Sequence, residues 1–277
     1  MASTPPSLTS PSGEASQLAA HSPALRFAVG TGIALVLSAS WAYVVWMVWG
    51  MEHMDAVADS LLMPGMMDWS GRDLVLVFIM WAIMMAAMML PSAAPMLMMF
   101  ARIAEGRSTR ARASLATGVL GIGYLAVWTA FGLVATLSQW GLLEARLINP
   151  MMASASVYLS AALLVAAGIY QWTPLKNACL TRCRSPLSVL LTEWRPGMSG
   201  AFAMGLRQGA YCTGCCWLLM ALLFVFGVMN LLWIAALALF VLLEKLLRQP
   251  RWFAQGAGIL LIAWGALVAA QAKNFMS

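Results

Sequence analysis

The sequence predicts an all-α protein, a polytopic bundle of about seven membrane-spanning helices. Of its 277 residues, 62% are apolar and 9% are charged, whereas a soluble domain carries roughly 25% charged residues. This composition excludes a soluble enzyme and a disordered chain, and five cysteines are too few for a secreted disulfide scaffold. The apolar runs are long and unbroken, without the alternation of barrel strands, so helices surrounded by a lipid bilayer are expected.

Six charge-free runs define the spans. Five of them hold 21 to 31 residues, enough for one helix each, because a span needs about 20 residues. The run between Arg207 and Glu244 holds 36 residues and would be about 54 Å long as one helix. We predict two helices there, separated by a turn at Gly227 to Asn230. The predicted spans are 27–50, 74–101, 114–138, 152–171, 208–228, 231–247 and 252–271.

The basic residues predict the orientation. With seven spans and a cytoplasmic N-terminus, 13 of the 16 lysines and arginines lie inside, but with six spans only 10 do. The positive-inside rule favours seven spans, with the C-terminus outside. The same rule accounts for the net charge of +6, so no nucleic-acid partner is expected. Residues 1–25 are expected to form a disordered tail, and 26–277 a single membrane domain.

Methionine is concentrated in one part of the chain. Of 22 methionines, 13 lie between Met51 and Met99. Met80, Met84 and Met88 recur every four residues and share one helix face. Thioethers bind soft ions such as Cu(I), but methionine also fills irregular gaps in a core, and both interpretations stay open. His53 lies in a methionine-rich outer loop, where it is either a metal entry point or an ordinary surface residue.

Cysteines cluster further along the chain. Cys212, Cys215 and Cys216 share one helix face, and Met220 extends that face by a turn. These sulfurs could form a thiolate metal site or a redox pair, or could pack as small apolar groups. A second pair, Cys179 and Cys183, lies in a predicted basic loop and is either a metal handover point or without function.

Two further expectations concern the membrane segments. Pro91 and Pro95 are expected to break or kink the second helix. Residues 89–96 and 212–216 lie at similar depths, so they can face each other if their helices are neighbours. Glu244 and Lys245 are interpreted as an adjacent pair at the membrane interface.

The segments MWAIMMAAMMLPSAAPMLMMF and GAYCTGCCWLLMALLFVFGVMNLLWIAALALFVLLEKL resemble the bacterial family known as domain of unknown function 2182. Its members are described as predicted metal-binding integral membrane proteins. The resemblance covers residues 40 to 250 and implies a polytopic bacterial inner-membrane protein that binds metal. It extends to Met80, Trp81, Met84, Met85, Met88, Met89, Pro91, Cys212, Gly214, Cys215, Cys216, Trp217, Asn230, Glu244 and Lys245.

The leading hypothesis is a protein of the bacterial cytoplasmic membrane that binds Cu(I) for transport, buffering or delivery. Its partners would be the metal ion, the bilayer and a metallochaperone or cuproprotein. A thiol redox protein and a non-catalytic assembly subunit are the alternatives, and no nucleotide-binding motif indicates an ATP-driven pump. Enzymatic activity is left open. The candidate metal ligands are Cys212, Cys215, Cys216, Met80, Met84, Met88, Met220 and His53.

Overall fold

The computed structural model describes residues 23–53, 69–147, 156–185, 190, 192, 194–247 and 250–276. Within these residues the secondary structure is helical, which confirms the all-α class. The helices are α1 (Pro23–Glu52), α2 (Gly71–Glu105), α3 (Arg110–Glu144), α4 (Val157–Tyr170), α5 (Pro174–Arg184), α6 (Gly197–Ala221), α7 (Leu223–Phe226), α8 (Leu231–Leu246) and α9 (Pro250–Met276). The predicted N-terminal tail lies mostly outside the described residues.

Five segments among the described residues are long and apolar enough to cross a membrane. They are Ala24–Gly50, Gly71–Glu105, Arg110–Glu144, Gly197–Phe226 and Arg251–Gln271. The two other predicted spans correspond to shorter helices, α4 with 14 residues and α8 with 16. The helical bundle is thus confirmed, while the number of seven spans and their orientation stay predictions.

Capping side chains and a glycine turn define several helix boundaries. Ser70 and Asp73 form a reciprocal capping box at the start of α2. The predicted turn at Gly227 to Asn230 is confirmed between α7 and α8: Gly227 adopts φ 92°, a conformation that glycine accepts readily. The side chain of Asn230 then caps α8 by accepting a hydrogen bond from the Trp233 backbone N–H at 3.4 Å.

The predicted break at the prolines is absent, because α2 continues through both Pro91 and Pro95. A proline removes one backbone hydrogen bond to the carbonyl four residues earlier. These two prolines are four residues apart, so the carbonyls that lose a partner, those of Ala87 and Pro91, lie along one side of the helix. The hydrogen bonds around the rest of its circumference can persist.

The helices that carry the cysteines are packed closely on their neighbours. α2 packs on α1 and α3, α3 packs on α6, α5 packs on α6, and α4 packs on α9. The contact between α3 and α6 depends on glycine: a Cβ at Gly205 would overlap the Leu120 carbonyl, and one at Gly209 would lie 2.9 Å from the Tyr124 carbonyl. This close approach brings Tyr124 beside the cysteine turn of α6.

Candidate metal centre

Cys212 is the centre of a buried polar cluster. Its side chain is buried in the core, and two polar groups from other helices reach its sulfur. Lys245 Nζ of α8 lies 3.0 Å from Cys212 Sγ, and the Tyr124 hydroxyl of α3 lies 3.1 Å from the same atom. A lysine ammonium can only donate, so the sulfur must accept from it. A thiolate suits this position best, since it also neutralises the lysine charge.

The same two side chains connect Cys212 with the proline segment of α2. Lys245 Nζ also donates to Ser92 Oγ at 2.7 Å, and the Tyr124 hydroxyl lies 3.2 Å from the Met89 carbonyl oxygen. Residues 89–96 therefore lie near the cysteines, as the sequence allowed, and these two side chains connect them. α3 and α8 each pack on both α2 and α6. Tyr124 of α3 and Lys245 of α8 are therefore placed to bridge the two helices.

The other two cysteines of α6 are directed at the backbone of their own turn. The thiols of Cys215 and Cys216 each donate to the Cys212 carbonyl oxygen at 3.0 Å. Both side chains are buried. The predicted common face is therefore present, but these two thiols would have to rotate away from the carbonyl to bind an ion together with Cys212.

A thiol from α5 completes the cluster. Cys183 is buried, and its thiol lies close enough to the Cys212 and Cys215 thiols to interact with them. These interactions, together with burial, raise the pKa of Cys183 well above its usual value. The sequence left the role of this cysteine open, and the structure brings it into the cluster.

Cys179 lies one helical turn before Cys183 and is only half-buried. Burial raises the pKa of the Cys179 thiol, and Arg182 opposes that effect. Its sulfur lies over Gly214 of α6, where a Cβ would come within 2.8 Å of it. All five cysteines are therefore on two packed helices, and all five are free thiols.

The α5 helix is held over the cysteines by ionic and polar contacts with α8. Lys176 Nζ lies 2.7 Å and 2.9 Å from the two carboxylate oxygens of Glu244, and both side chains are 1% exposed. At the other end of α5, Arg184 Nε donates to the Lys245 carbonyl at 3.1 Å. The interpretation of Glu244 and Lys245 as a mutual pair is wrong. Consecutive residues point in different directions on a helix, and each of these two meets a different partner.

The predicted methionine ligands are all buried. Met80, Met84, Met88 and Met220 belong to the apolar core. Met80 precedes Ser92 by 12 residues, which is about 18 Å along a helix, so it cannot share an ion with Cys212. Met88 precedes Ser92 by about one turn, or about 6 Å, and is the nearest of the three predicted α2 ligands to the cluster.

His53 lies on the surface and contacts Trp49 of its own helix. It is exposed at the end of α1, where its ring stacks on Trp49 at 4.7 Å and Nδ1 lies 3.0 Å from the Trp49 carbonyl oxygen. Most of the surrounding methionine-rich loop, 54–68, lies outside the described residues.

The donor atoms fit a soft cation with few ligands. Among the described residues, no group of three or more His, Cys, Asp or Glu side chains is already arranged to hold a metal ion. Cu(I) is stable with a pair of sulfur ligands, and thiolates and thioethers select it over harder cations. The neighbouring thiols of Cys212 and Cys183 meet that requirement without a larger ligand set.

Comparison with known families supports this chemistry. A family model described as PpoB2, copper chaperone, matches residues 78–268, which is more than half of the chain. The chain belongs to this family. The matched region contains all five cysteines, Tyr124 and Lys245, and it excludes His53. The family confirms the metal-related part of the resemblance drawn from the sequence and connects the chain with copper. No curated protein and no solved structure matches the chain.

Sequence reasoning missed Tyr124 and Ser92, and it gave Lys245 the wrong partner. A local signal existed for the α5 cysteines. Thr173 followed by Pro174 is a helix start, and the spacing of Cys179 and Cys183 places both on one face of such a helix. For Tyr124, the sequence offers only a tyrosine within an apolar run.

Proposed function

We propose that the protein is a membrane-embedded copper chaperone of the bacterial cytoplasmic membrane, which binds Cu(I) at Cys212 and delivers it to a metallochaperone or cuproprotein. The observation that carries the proposal is the Cys212 sulfur, buried and contacted by Lys245 Nζ at 3.0 Å and by the Tyr124 hydroxyl at 3.1 Å. The match to a copper chaperone family supports the choice of metal. Seven spans, with the N-terminus inside and the C-terminus outside, are part of this proposal.

In this proposal Cys212 and Cys183 are the principal ligands. Cys215 and Cys216 supply further thiols after rotating away from the Cys212 carbonyl. A Cu(I) ion bound by two thiolates carries a net negative charge, and a buried anion needs a neutralising partner. Lys245 provides it, because its ammonium already lies against the Cys212 sulfur.

The remaining predicted ligands act before the cysteines. Met80, Met84 and Met88 follow one another by about 6 Å along α2, so they can serve as successive weak sites leading to Cys212. Met220 lies two turns beyond Cys212 on α6 and is a further thioether for the same route. His53 is proposed only as a point of first capture, since it lies outside the residues matched by the family.

The thiol redox alternative uses the cysteine cluster at 212–216, with a disulfide between Cys212 and Cys215. The Cys183 thiol, which lies close to Cys212, is a second possible partner. A disulfide formed from the Cys212 thiolate and a neighbouring thiol would release one proton and pass two electrons to an external oxidant. This alternative predicts reversible disulfide formation in metal-free protein. The assembly-subunit alternative predicts that loss of the cysteine thiols changes neither metal content nor association with a partner.

Metal content is the deciding measurement. The full chain is purified in detergent under anaerobic, reducing conditions, loaded with Cu(I) and analysed beside a Cys212→Ser, Cys215→Ser, Cys216→Ser triple variant. Near-stoichiometric copper that is lost in the triple variant supports the proposal. A protein that holds no copper after loading contradicts it, and thiol titration then separates the two alternatives.

A matched control is available on the same turn of α6. The Thr213 hydroxyl oxygen is buried without a hydrogen-bond partner. Thr213→Val replaces this hydroxyl by a methyl group of similar size and therefore breaks no hydrogen bond. This variant should retain its copper. Copper loss in Thr213→Val as well would indicate that disturbed packing, rather than a missing sulfur, empties the site.

Topology is tested separately. A reporter fused after Ser277 should be active only on the outer side of the membrane. Activity only on the cytoplasmic side would exclude the model with seven spans.

A further inference from the structure

We propose that Cys179 is the exchange ligand of the protein, the thiol through which Cu(I) passes between the buried cysteines and an external carrier. This inference rests on the proposed function and assigns a separate role to a cysteine that is not needed for the resting site.

The exposure of the five thiols increases from the α6 cysteines to Cys183 and then to Cys179. Cys212, Cys215 and Cys216 are at most 1% exposed, and Cys183 is 9% exposed. Cys179 alone among them is only half-buried. An external carrier must approach the ion closely enough to form a bond with it, so the transfer has to occur at a sulfur that can be reached from outside the core.

The position of Cys179 connects that exposed thiol with the buried ones. Cys179 and Cys183 are four residues apart on α5, which places them on the same face one turn apart. Cys179 also lies close enough to Cys215 for their charges to interact. It is therefore adjacent to one proposed ligand on its own helix and to another on α6.

Gly214 is the residue that permits this arrangement. A Cβ at position 214 would lie 2.8 Å from Cys179 Sγ and 3.6 Å from Cys179 Cβ. Only glycine allows the sulfur to rest against α6 at the turn that carries Cys212 and Cys215. The Tyr170 hydroxyl donates to the Gly214 carbonyl, so this part of α6 is also fixed from α4.

The charge beside Cys179 suits a thiol that binds the ion only transiently. Arg182 interacts favourably with the anionic form of Cys179 and also lies over the Tyr211 ring, with its guanidinium carbon 5.0 Å from the ring centre. A neighbouring cation stabilises a thiolate while it coordinates, and it does so without serving as a ligand.

The exchange is balanced without a change of oxidation state. As the Cys179 sulfur forms a bond with Cu(I), its proton passes to solvent. The bond between Cu(I) and Cys183 or Cys215 then breaks, and the released thiolate takes up a proton. One thiol of the carrier then forms a bond with Cu(I) as the bond to Cys212 breaks, and the Cys212 thiolate returns to its contact with Lys245. A second carrier thiol displaces Cys179 in the same way. The two carrier thiols lose one proton each, one to the released Cys179 thiolate and one to solvent, which completes the transfer.

Kinetics and equilibrium separate an exchange ligand from a resting ligand. Full-length protein loaded with Cu(I) is mixed with a water-soluble Cu(I) chelator, and both the rate of copper removal and the equilibrium affinity are measured. We expect Cys179→Ser to keep the affinity within about threefold and to slow copper removal at least about tenfold, which is a barrier increase of about 1.4 kcal/mol. Cys183→Ser should lower the affinity itself.

Gly214→Ala is an independent second variant that retains the thiol. The added Cβ forces the Cys179 sulfur away from α6, so copper removal should slow in the same direction. Ala178→Ser is the matched control, because it changes an exposed neighbour on the same turn of α5, and its rate should equal that of the wild type.

Two results would overturn the inference while the proposed function stands. One is an unchanged rate in Cys179→Ser, and the other is a loss of affinity in Cys179→Ser as large as that in Cys183→Ser. Absence of copper from the wild-type protein after loading would remove the inference and the proposed function together.

Discussion

The sulfur atoms of this protein occupy two regions with different surroundings. In the first region, Met80, Met84 and Met88 lie on one face of α2 and are buried within the apolar core. In the second, Cys212 meets an ammonium, a phenol and the Cys183 thiol, which come from three other helices. Both regions are rich in sulfur, but only the cysteine region combines it with charged and polar partners.

This difference teaches that the neighbours of a sulfur atom say more about its chemistry than the number of sulfurs does. A buried thioether needs no polar partner and contributes to packing wherever it lies. A buried lysine beside a thiol is costly unless the thiol is ionised or binds a cation within a neutralising set. We therefore assign strong Cu(I) binding to the cysteines, and only weak, transient contact to the methionines.

The largest effect is expected from loss of the central sulfur. Cys212→Ser should lower Cu(I) affinity at least about a thousandfold, or about 4 kcal/mol, because it removes the one sulfur contacted by Lys245 and Tyr124. Competition titration against a Cu(I) chelator measures this change. Met84→Leu is the matched comparison from the methionine region and should bind like the wild type. Equal losses in the two variants would show that the regions do not differ in the proposed way.

The second prediction concerns the ion pair that holds α5 over the cysteines. Glu244→Gln leaves the Lys176 ammonium buried without its counter-charge, which should lower the free energy of unfolding by about 3–5 kcal/mol. Unfolding in detergent, compared between Glu244→Gln and the wild type, measures this loss of stability.

A double variant distinguishes the broken pair from a general packing defect. Lys176→Met combined with Glu244→Leu replaces both charges by apolar groups, and such replacements are often close to neutral. The double variant should therefore recover most of the lost stability. A double variant that is less stable than Glu244→Gln would show that the charges themselves hold α5 in place.

A third, smaller effect is expected at Lys245. Lys245→Met removes the charge that neutralises a dithiolate copper complex. A hydrogen bond to a charged group contributes about 1.5–3 kcal/mol, so Cu(I) affinity should fall about 10- to 150-fold. The same competition titration applies. Tyr124→Phe, which removes an uncharged hydroxyl from the same sulfur, should lose less. A larger loss of affinity in Tyr124→Phe would contradict the role of the lysine charge.

Local patterns in the sequence are sufficient to predict much of the fold. The charge-free runs gave the helices, Gly227 and Asn230 gave the turn before α8, and the spacing of Cys212, Cys215 and Cys216 gave their common face. Each of these features depends on residues a few positions apart. The periodicity of a helix is enough to derive them.

The composition of the site depends on contacts that no local pattern encodes. Lys245 and Cys212 are 33 residues apart, and Lys176 and Glu244 are 68 apart. These pairs form only because α5, α6 and α8 pack at particular positions along their lengths, with Gly214 allowing close approach. From the sequence, Glu244 and Lys245 could only be interpreted as neighbours, whereas the helix turns them toward different partners.

The smallest effect on affinity, and the sharpest test of the methionine region, comes from Met80→Leu, Met84→Leu and Met88→Leu combined. Leucine nearly conserves the volume of methionine, so each substitution should cost less than about 1.5 kcal/mol of stability. Equilibrium affinity should stay within about threefold, because the cysteines are intact. If the methionines form a route of weak sites, loading with Cu(I) should slow at least about tenfold, which stopped-flow measurement in reconstituted vesicles can detect. An unchanged loading rate would restrict these methionines to packing, and a large loss of affinity would place part of the binding site on α2.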